Sequence, residues 1–392
     1  MQYKITCRAH QRPIGQGGFY SATLSLNDRE KYTLVYDCGS VSSCGRLSDE
    51  IDNFGDELGN SKLDLLVISH LDADHVNGVD RLLHISGGVR VVFLPYLSPL
   101  ERVIYLMRYP NQSESYYQLV IDPVSTLQNS GAERIFLVGE GADGNNNQIE
   151  ELDNIGPNDY ERWQGVERLK LNTDKLVRDA KIENDHNAEY ENISVPDAFG
   201  VTDAHSLILS GLWRFKMFQK QGLRAVLEKV FNAGNFATRP SNETPDERRC
   251  RELLRMIEKV LGVGNLSLQN ILQALKIESK RKLLQDAYKT ITPIHNDVSL
   301  CLWHGPLFDD KFYLRGHAHG VSALPAIAGT LTLSRHHDYS QRGSGTMLTG
   351  DLSLKGDTLT RFKNHYSIEL PHTWLFQLPH RISISHFLLN RG

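Results

Sequence analysis

The chain has 392 residues, 40% of them hydrophobic and 23% charged. At about 150 residues per domain this suffices for two domains or one large domain carrying an insertion, and it excludes a disordered chain, a collagen-like repeat and a small disulfide scaffold. Lys plus Arg (43) nearly balance Asp plus Glu (47), and the net charge of -4 argues neither for nor against a polyanionic partner.

The N-terminal stretch MQYKITCRAHQRP carries charge every few residues, and no apolar run approaches the roughly 20 residues that cross a bilayer. No membrane or export segment is therefore expected. Five scattered cysteines (Cys7, Cys38, Cys44, Cys250, Cys301) contain no CxxC pair, which points to a reducing, cytoplasmic setting without a disulfide framework or structural zinc knuckle. In chain order, β-branched and aliphatic runs predict strands at Tyr32–Tyr36, Leu63–Ser69, Val89–Pro95, Arg134–Val138, Val298–Trp303, Thr346–Thr349 and Trp374–Leu378. Helices are expected at 48–58, 78–84 and 356–365. From 205 to 290 the chain reads as mostly helix, because Leu253, Leu254, Ile257, Val260 and Leu261, and later Ile271, Leu272, Leu275 and Ile277, recur at three- and four-residue spacing.

Charge divides the middle. Residues 140–200 hold 15 acidic and 6 basic side chains, whereas 210–290 hold 8 acidic and 16 basic. Strand-rich ends around such a middle predict one α/β domain split by an insertion: 1–95 as the first half, 96–292 as the insertion (acidic 140–200, basic and helical 205–290), and 293–392 as the second half.

The strongest chemical signal is Leu65-Leu66-Val67-Ile68-Ser69-His70-Leu71-Asp72-Ala73-Asp74-His75-Val76-Asn77-Gly78. A buried strand delivers four potential metal ligands within six residues at its C-terminal end, and only a tight loop turns that many side chains toward one point. Imidazole and carboxylate donors suit zinc, manganese or iron better than calcium. Two carboxylates and two imidazoles packed so closely are costly unless cations sit among them. Gly15-Gln16-Gly17-Gly18 has no helix to receive a phosphate and reads as a turn beside this loop. His336-His337-Asp338 reads as exposed loop.

The HxDxDH loop resembles the HxHxDH loop of the metallo-β-lactamase superfamily, with Asp72 at the second His. It is similar to the subfamily typified by the hydrolase domain of the bacterial competence DNA-uptake channel, where the loop reads SHxDADHxxG. Four further motifs follow in order. Tyr36-Asp37-Cys38-Gly39 matches the Asp-x-Gly turn and Asn296-Asp297-Val298-Ser299-Leu300 the Asn-x-x-Ser-Leu strand. Leu348-Thr349-Gly350-Asp351 matches Leu-Thr-Gly-Asp, and Leu378-Pro379-His380 the last strand-to-His element. The likeness covers 15 to about 95 and 293–386, leaving the middle without a counterpart.

The resemblance implies a four-layer αββα metallo-β-lactamase fold with a large, mostly helical insertion. It also implies two divalent metal ions, zinc or manganese with magnesium admissible. His70 and Asp72 would hold the first; Asp74, His75 and His380 the second; Asp351 would bridge, making Asp74, His75 and Asp351 the catalytic core. Asp37 would orient a ligand from behind. Two cations about 3.5–4 Å apart lower the pKa of a bridging water to roughly 7 and so present a hydroxide nucleophile. The superfamily's third first-site His is missing, and His304, His317, His319 and His336 are candidates. Where the subfamily has His-His-Gly-Ser, this chain has His380-Arg381-Ile382-Ser383, and Arg381 becomes a candidate for facing a phosphate. Only 12 residues follow His380, whereas the family usually adds a strand and a helix, so the domain is expected to be cut from a longer chain or to borrow an edge.

The expected activity is that of a metal-dependent phosphodiesterase or nuclease acting on DNA or RNA. Arg248, Arg249, Arg251 and Arg255, with Lys280, Arg281 and Lys282, would supply the basic footprint for nucleic acid. Two other readings stand beside it. One is a hydrolase of a small nucleotide or ester. The other is an effector of a multi-component bacterial antiviral defence system, its polarised insertion docking protein partners that switch activity on.

Overall fold

The computed structural model of the chain describes residues 5–26, 30–42, 44–139, 171–173, 176, 198–203, 206–210, 213–220, 222–263, 266–289, 298–306, 313–318, 329–334, 345–352, 354, 356–367, 369–370 and 373–377. It opens with β1 (Ile5–Gln11), β2 (Gly17–Leu26), β3 (Glu30–Ser40) and α1 (Cys44–Leu58). Strand and helix then alternate through β4 (Leu63–Val67), α2 (Ala73–Val76), α3 (Val79–Ile85) and β5 (Val89–Pro95). Three helices, α4 (Pro99–Arg108), α5 (Glu114–Ile121) and α6 (Pro123–Asn129), lead into β6 (Ala132–Gly139). The middle contributes β7 (Leu171–Asn172), β8 (Ala198–Thr202), β9 (Leu207–Leu209) and β10 (Trp213–Gln219). A helical run follows: α7 (Arg224–Ala233), α8 (Pro245–Leu261), α9 (Leu268–Lys276) and α10 (Glu278–Tyr288). The chain continues through β11 (Leu300–Pro306), β12 (Tyr313–Ala318), β13 (Gly329–Ser334), β14 (Gly345–Leu348), α11 (Gly356–His365) and β15 (Thr373–Gln377).

The strands form two sheets in a mixed α/β protein. One has the order β12-β13-β1-β2-β3-β4-β5-β6-β8, antiparallel up to β3 and parallel from β3 to β8. The other runs β15-β14-β11-β10-β9-β7, antiparallel except for the β14–β15 pair. The two-residue period of a strand sorts the cores. Leu66, Ile68, Val92, Leu94, Ile135 and Leu137 pack with Leu82, Val103, Leu106, Leu254 and Leu284 of the helices. Their neighbours Leu65, Val67, Val91, Phe93, Phe136 and Val138 pack instead with Trp213, Phe215, Met217, Leu300, Leu302 and Leu348 of the second sheet. Cys301, Trp303, Met347 and Phe218 then cover Phe362 and Tyr366, on and just beyond α11.

The expected insertion boundaries at 95/96 and 292/293 do not divide the sheets. β6 and β8 extend the first sheet past β5, and β10 pairs with β11 in the second. The stretch expected to be helical from 205 thus begins with two strands, and its helices occupy 224–288. In β10, Arg214 and Lys216 meet the fully buried Glu369 at 2.8 and 3.3 Å. α8 was legible in the sequence, since every local signal agrees. Thr244 and Glu247 form a capping box, Pro245 opens the helix, and Gly262 closes it at φ +64°. Helices α4–α6 are additional to those expected from the sequence, and α4 is buried nearly all round. Most of the acidic 140–200 stretch lies outside the described residues.

His304 on β11 pins the sheets together. The Trp213 indole N–H donates to His304 Nδ1 at 3.3 Å, and Nε2 lies 2.9 Å from the Tyr20 hydroxyl. An indole can only donate, so Nδ1 accepts and the ring proton sits on Nε2. Burial lowers the His304 pKa to about 3. The unfolded chain therefore takes up this proton near pH 6.5 while the folded chain resists it. The resulting stability is complete above pH 6.5 and is lost as pH falls toward 3, at about 1.4 kcal/mol per pH unit. Thermal melting between pH 7.5 and 4.5 should show a shallower pH dependence in His304→Phe than in wild type. The variant's melting temperature should be lower at pH 7.5, because the Tyr20 and Trp213 groups lose their partner.

Candidate metal centre

All five residues of β4 are buried between the parallel strands β3 and β5, and the C-terminal edge of such strands is where open α/β sheets hold ligands. Ile68 N–H still donates to Phe93 O; beyond it the chain leaves the sheet and turns into α2. His70, Asp72, Asp74 and His75 are all buried. The turn is stitched to both sheets. Leu300 N–H donates to Ser69 O, the Tyr36 hydroxyl to Leu300 O, and Gly78 N–H to Cys38 O.

Asp37 organises the centre. Its Oδ1 accepts from Ser69 N–H at 2.6 Å, and its Oδ2 accepts from the Ser69 hydroxyl at 2.6 Å and from His75 Nδ1 at 2.8 Å. A carboxylate only accepts here, so His75 carries a proton on Nδ1. Ser69 spends its single hydrogen on Asp37 and can only accept from His70 Nδ1, 2.8 Å away. Both imidazoles thus have Nδ1 occupied, which turns each Nε2 toward the metal-ligand role. Asp37 reaches this position with φ +57°, a backbone conformation disfavoured for a residue with a Cβ. Gly18 makes room: a Cβ there would lie 2.8 Å from His75 Nδ1 and 2.9 Å from Asp37 Cβ.

His70, His75 and Asp351 place ligand atoms within 4.8 Å of one another. His75 Nε2 and Asp351 Oδ1, 3.8 Å apart, are buried with no hydrogen-bond partner among the described residues. That distance is beyond a hydrogen bond but within the span of two donors about 2.0–2.2 Å from one zinc-sized ion. The donor set fits a divalent metal. Asp72 Oδ2 lies 3.7 Å from His70 Nε2, and Asp74 Oδ2 lies 4.0 Å from His75 Nε2, both at the margin of the group. Asp351 arrives from the end of β14 through Gly350 (φ +54°), where a Cβ would collide with Ser299 Oγ at 2.4 Å. Burial alone would push His75 down, but the carboxylates of Asp37, Asp74 and Asp351 carry its pKa up to about 9.

Asp72 stands apart from the expected ligand set in one respect. It is the N-cap of α2 yet makes no side-chain cap bond; its carboxylate instead meets Arg108 Nη1 at 3.1 Å, from the end of α4. Burial, opposed by Arg108, raises the Asp72 pKa to about 6. His304, a candidate for the missing ligand, has both ring nitrogens engaged in the inter-sheet core. His317 lies on β12, described only as backbone, while His319, His336, His337, Asp338, His380 and Arg381 lie outside the described residues. The basic footprint is partly structural: Arg251 is buried against Glu243 at 2.6 Å and Arg281 against Glu114 at 2.9 Å. Arg249 pairs with Asp246 and Arg248 approaches Glu243 at 3.9 Å, both partly exposed.

Pattern reading missed two residues. Ser69 had a signal, since it immediately precedes His70 in the ligand loop. Arg108 had none, because nothing in the sequence folds α4 back onto a loop 36 residues earlier. Comparison of the chain with protein-family models gives no match, and comparison with curated proteins gives none.

Asp37→Asn should keep the fold while its amide N–H₂ opposes the Nδ1 proton of His75, and Ser69→Ala should remove the partner of His70. Loss of such outer partners typically weakens metal binding about 10–100-fold, and competition with a chelator for zinc or manganese measures it. Unchanged affinity in both variants would show that these hydrogen bonds do not set the ligands.

Proposed function

We propose that this chain is a metal-dependent hydrolase with the four-layer αββα arrangement of the metallo-β-lactamase superfamily, acting as a phosphodiesterase on DNA or RNA. The observation that carries the reading is the convergence of His70, His75 and Asp351 at strand ends, with Asp37 and Ser69 holding both imidazoles in the ligating tautomer. Helices against one sheet, sheet against sheet, and α11 against the outer face of the second sheet are the packing such an arrangement requires.

Bound divalent ions would supply Lewis acidity at a phosphoryl oxygen and activated water at neutral pH. The chain's own residues build the place for that chemistry. His70, Asp72, Asp74 and His75 form a floor closed to solvent, while Asp351, with 32% of its side chain exposed, marks the open side. Asp74 and Asp72 flank the ligand group as further oxygen donors, and His380 is the expected sixth. Asp37 fixes geometry and does not face the substrate.

Nucleic acid as substrate rests on the subfamily resemblance and on the outward basic side chains of the helical run, among them Arg248, Arg255, Lys280 and Lys282. Commitment of the buried Arg251 and Arg281 to ion pairs with Glu243 and Glu114 shortens that footprint and favours, as the second reading, a small phosphoester. Salt separates the two, because affinity through many phosphates falls steeply with ionic strength and through one phosphate hardly changes.

Purified protein should contain at least one equivalent of transition metal and cleave single-stranded, duplex or plasmid DNA, or RNA, with manganese, magnesium or zinc. His75→Ala and Asp351→Asn should lower the rate more than about 100-fold, beyond the cost of losing an outer partner. Less than one equivalent of metal, together with variants as active as wild type on every substrate, would sink the reading.

A further inference from the structure

A cation stands beside the carboxylates of the centre. Arg108, with 24% of its side chain exposed, stands at the C-terminal end of α4 and pairs with Asp72 through Nη1, at 3.1 Å to Oδ2 and 3.4 Å to Oδ1. Among the described residues, these bonds from Nη1 are its hydrogen bonds, so most of a five-donor guanidinium remains uncommitted. The group is held in place from behind. Its carbon lies 5.2 Å from the centre of the Tyr109 ring, Tyr109 meets Tyr116 edge to face at 6.4 Å, and the Tyr116 hydroxyl donates to Leu71 O inside the ligand loop. The helical run fixes α4 from the other side, since Gln285 Nε2 donates to Leu106 O at 2.9 Å.

We propose that Arg108 is the anion anchor of the site, receiving a phosphate oxygen of the substrate when Asp72 turns to metal. The proposal rests on the phosphodiesterase reading for its substrate class. Metal ions would neutralise the carboxylates of Asp72, Asp74 and Asp351, and the Arg108 guanidinium, 3.1 Å from Asp72, adds a positively charged donor beside them. Its planar fork matches two phosphate oxygens, which a lysine cannot do. Asp72 takes one nitrogen of that fork, Nη1, as the resident anion. A substrate phosphate replaces it by ion-pair exchange, with no bond made or broken.

Inorganic phosphate binding, followed by calorimetry, tests this in two settings. In chelator-treated protein, Asp72→Asn should bind phosphate at least tenfold more tightly than wild type, and adding Arg108→Gln should abolish the gain. In manganese-loaded wild-type protein, Arg108→Gln should weaken phosphate at least tenfold at unchanged manganese content, and Arg108→Lys should fall between. Equal phosphate affinity for Asp72→Asn and Asp72→Asn/Arg108→Gln would overturn the assignment, as would acetate binding more tightly than phosphate. If Arg108→Gln loses its melting transition, Arg108→Lys decides, with affinity equal to wild type counting against the fork. Failure of wild type to take up manganese is read in the separate metal titration. It counts against the metal reading alone, because the chelator-treated arms still judge Arg108.

Discussion

Asp37 holds three donors from two places in the chain, and most of the centre hangs on that carboxylate. Through Ser69 N–H and Oγ it fixes the exit of β4, and through His75 Nδ1 it fixes α2. With its acceptor positions filled by one backbone and two side-chain donors, it dictates which nitrogen of His75 bears the proton and, by way of Ser69, which nitrogen of His70 does. Space around it is correspondingly tight. Gly18 and Gly39 approach the α2 turn so closely that a Cβ at either would overlap the His75 ring or its backbone. The Gly-rich segment after Pro13 is therefore the far wall of the ligand loop.

The two sheets meet at the same point. Leu300 and Ser299 from β11 and its approach, and Thr349 and Gly350 from the end of β14, touch Ser69 or its neighbours. Asp351 thereby arrives beside imidazoles carried by the other sheet. A centre assembled from both sheets forms only when the core between them closes. The buried Tyr20, His304, Trp213 cluster and the stacked Phe93 and Phe136 lie in that core. Stability of the inter-sheet core and the approach of Asp351 to His70 and His75 are consequently one property.

Helices α7, α9 and α10 pack on α4, α8 packs on α7 and α10, and α4 carries Arg108 to Asp72. Arg281 stacks over Tyr117 at 4.0 Å and pairs with Glu114, while Arg224 stacks over Tyr96 at 4.4 Å. Cations that read as a nucleic-acid footprint thus partly serve to seat one helical layer on another. Desolvated guanidinium groups satisfy aromatic faces and carboxylates at once, and charge counted along a sequence does not reveal this.

How much was legible in the sequence follows from the range of each interaction. The ligand loop is local: strand, His70, Asp72, Asp74, His75 and Gly78 sit within a few residues, so their joint purpose is written in consecutive letters. α8 and β5 were equally plain, because cap, periodicity and breaker agree within one element. Residues whose roles depend on a partner far along the chain stayed hidden. Arg214 and Lys216 pair with the buried Glu369, some 150 residues later. His304 is a candidate ligand by sequence, and only the inter-sheet core shows both its ring nitrogens engaged. The sequence by itself determined the buried loop that gathers His70, Asp72, Asp74 and His75, and the α/β character. Only the tertiary structure decided that β6, β8, β9 and β10 belong to the sheets and that Asp72 is shared with Arg108, because burial and ion pairing are set by neighbours in space, which a one-dimensional pattern does not contain.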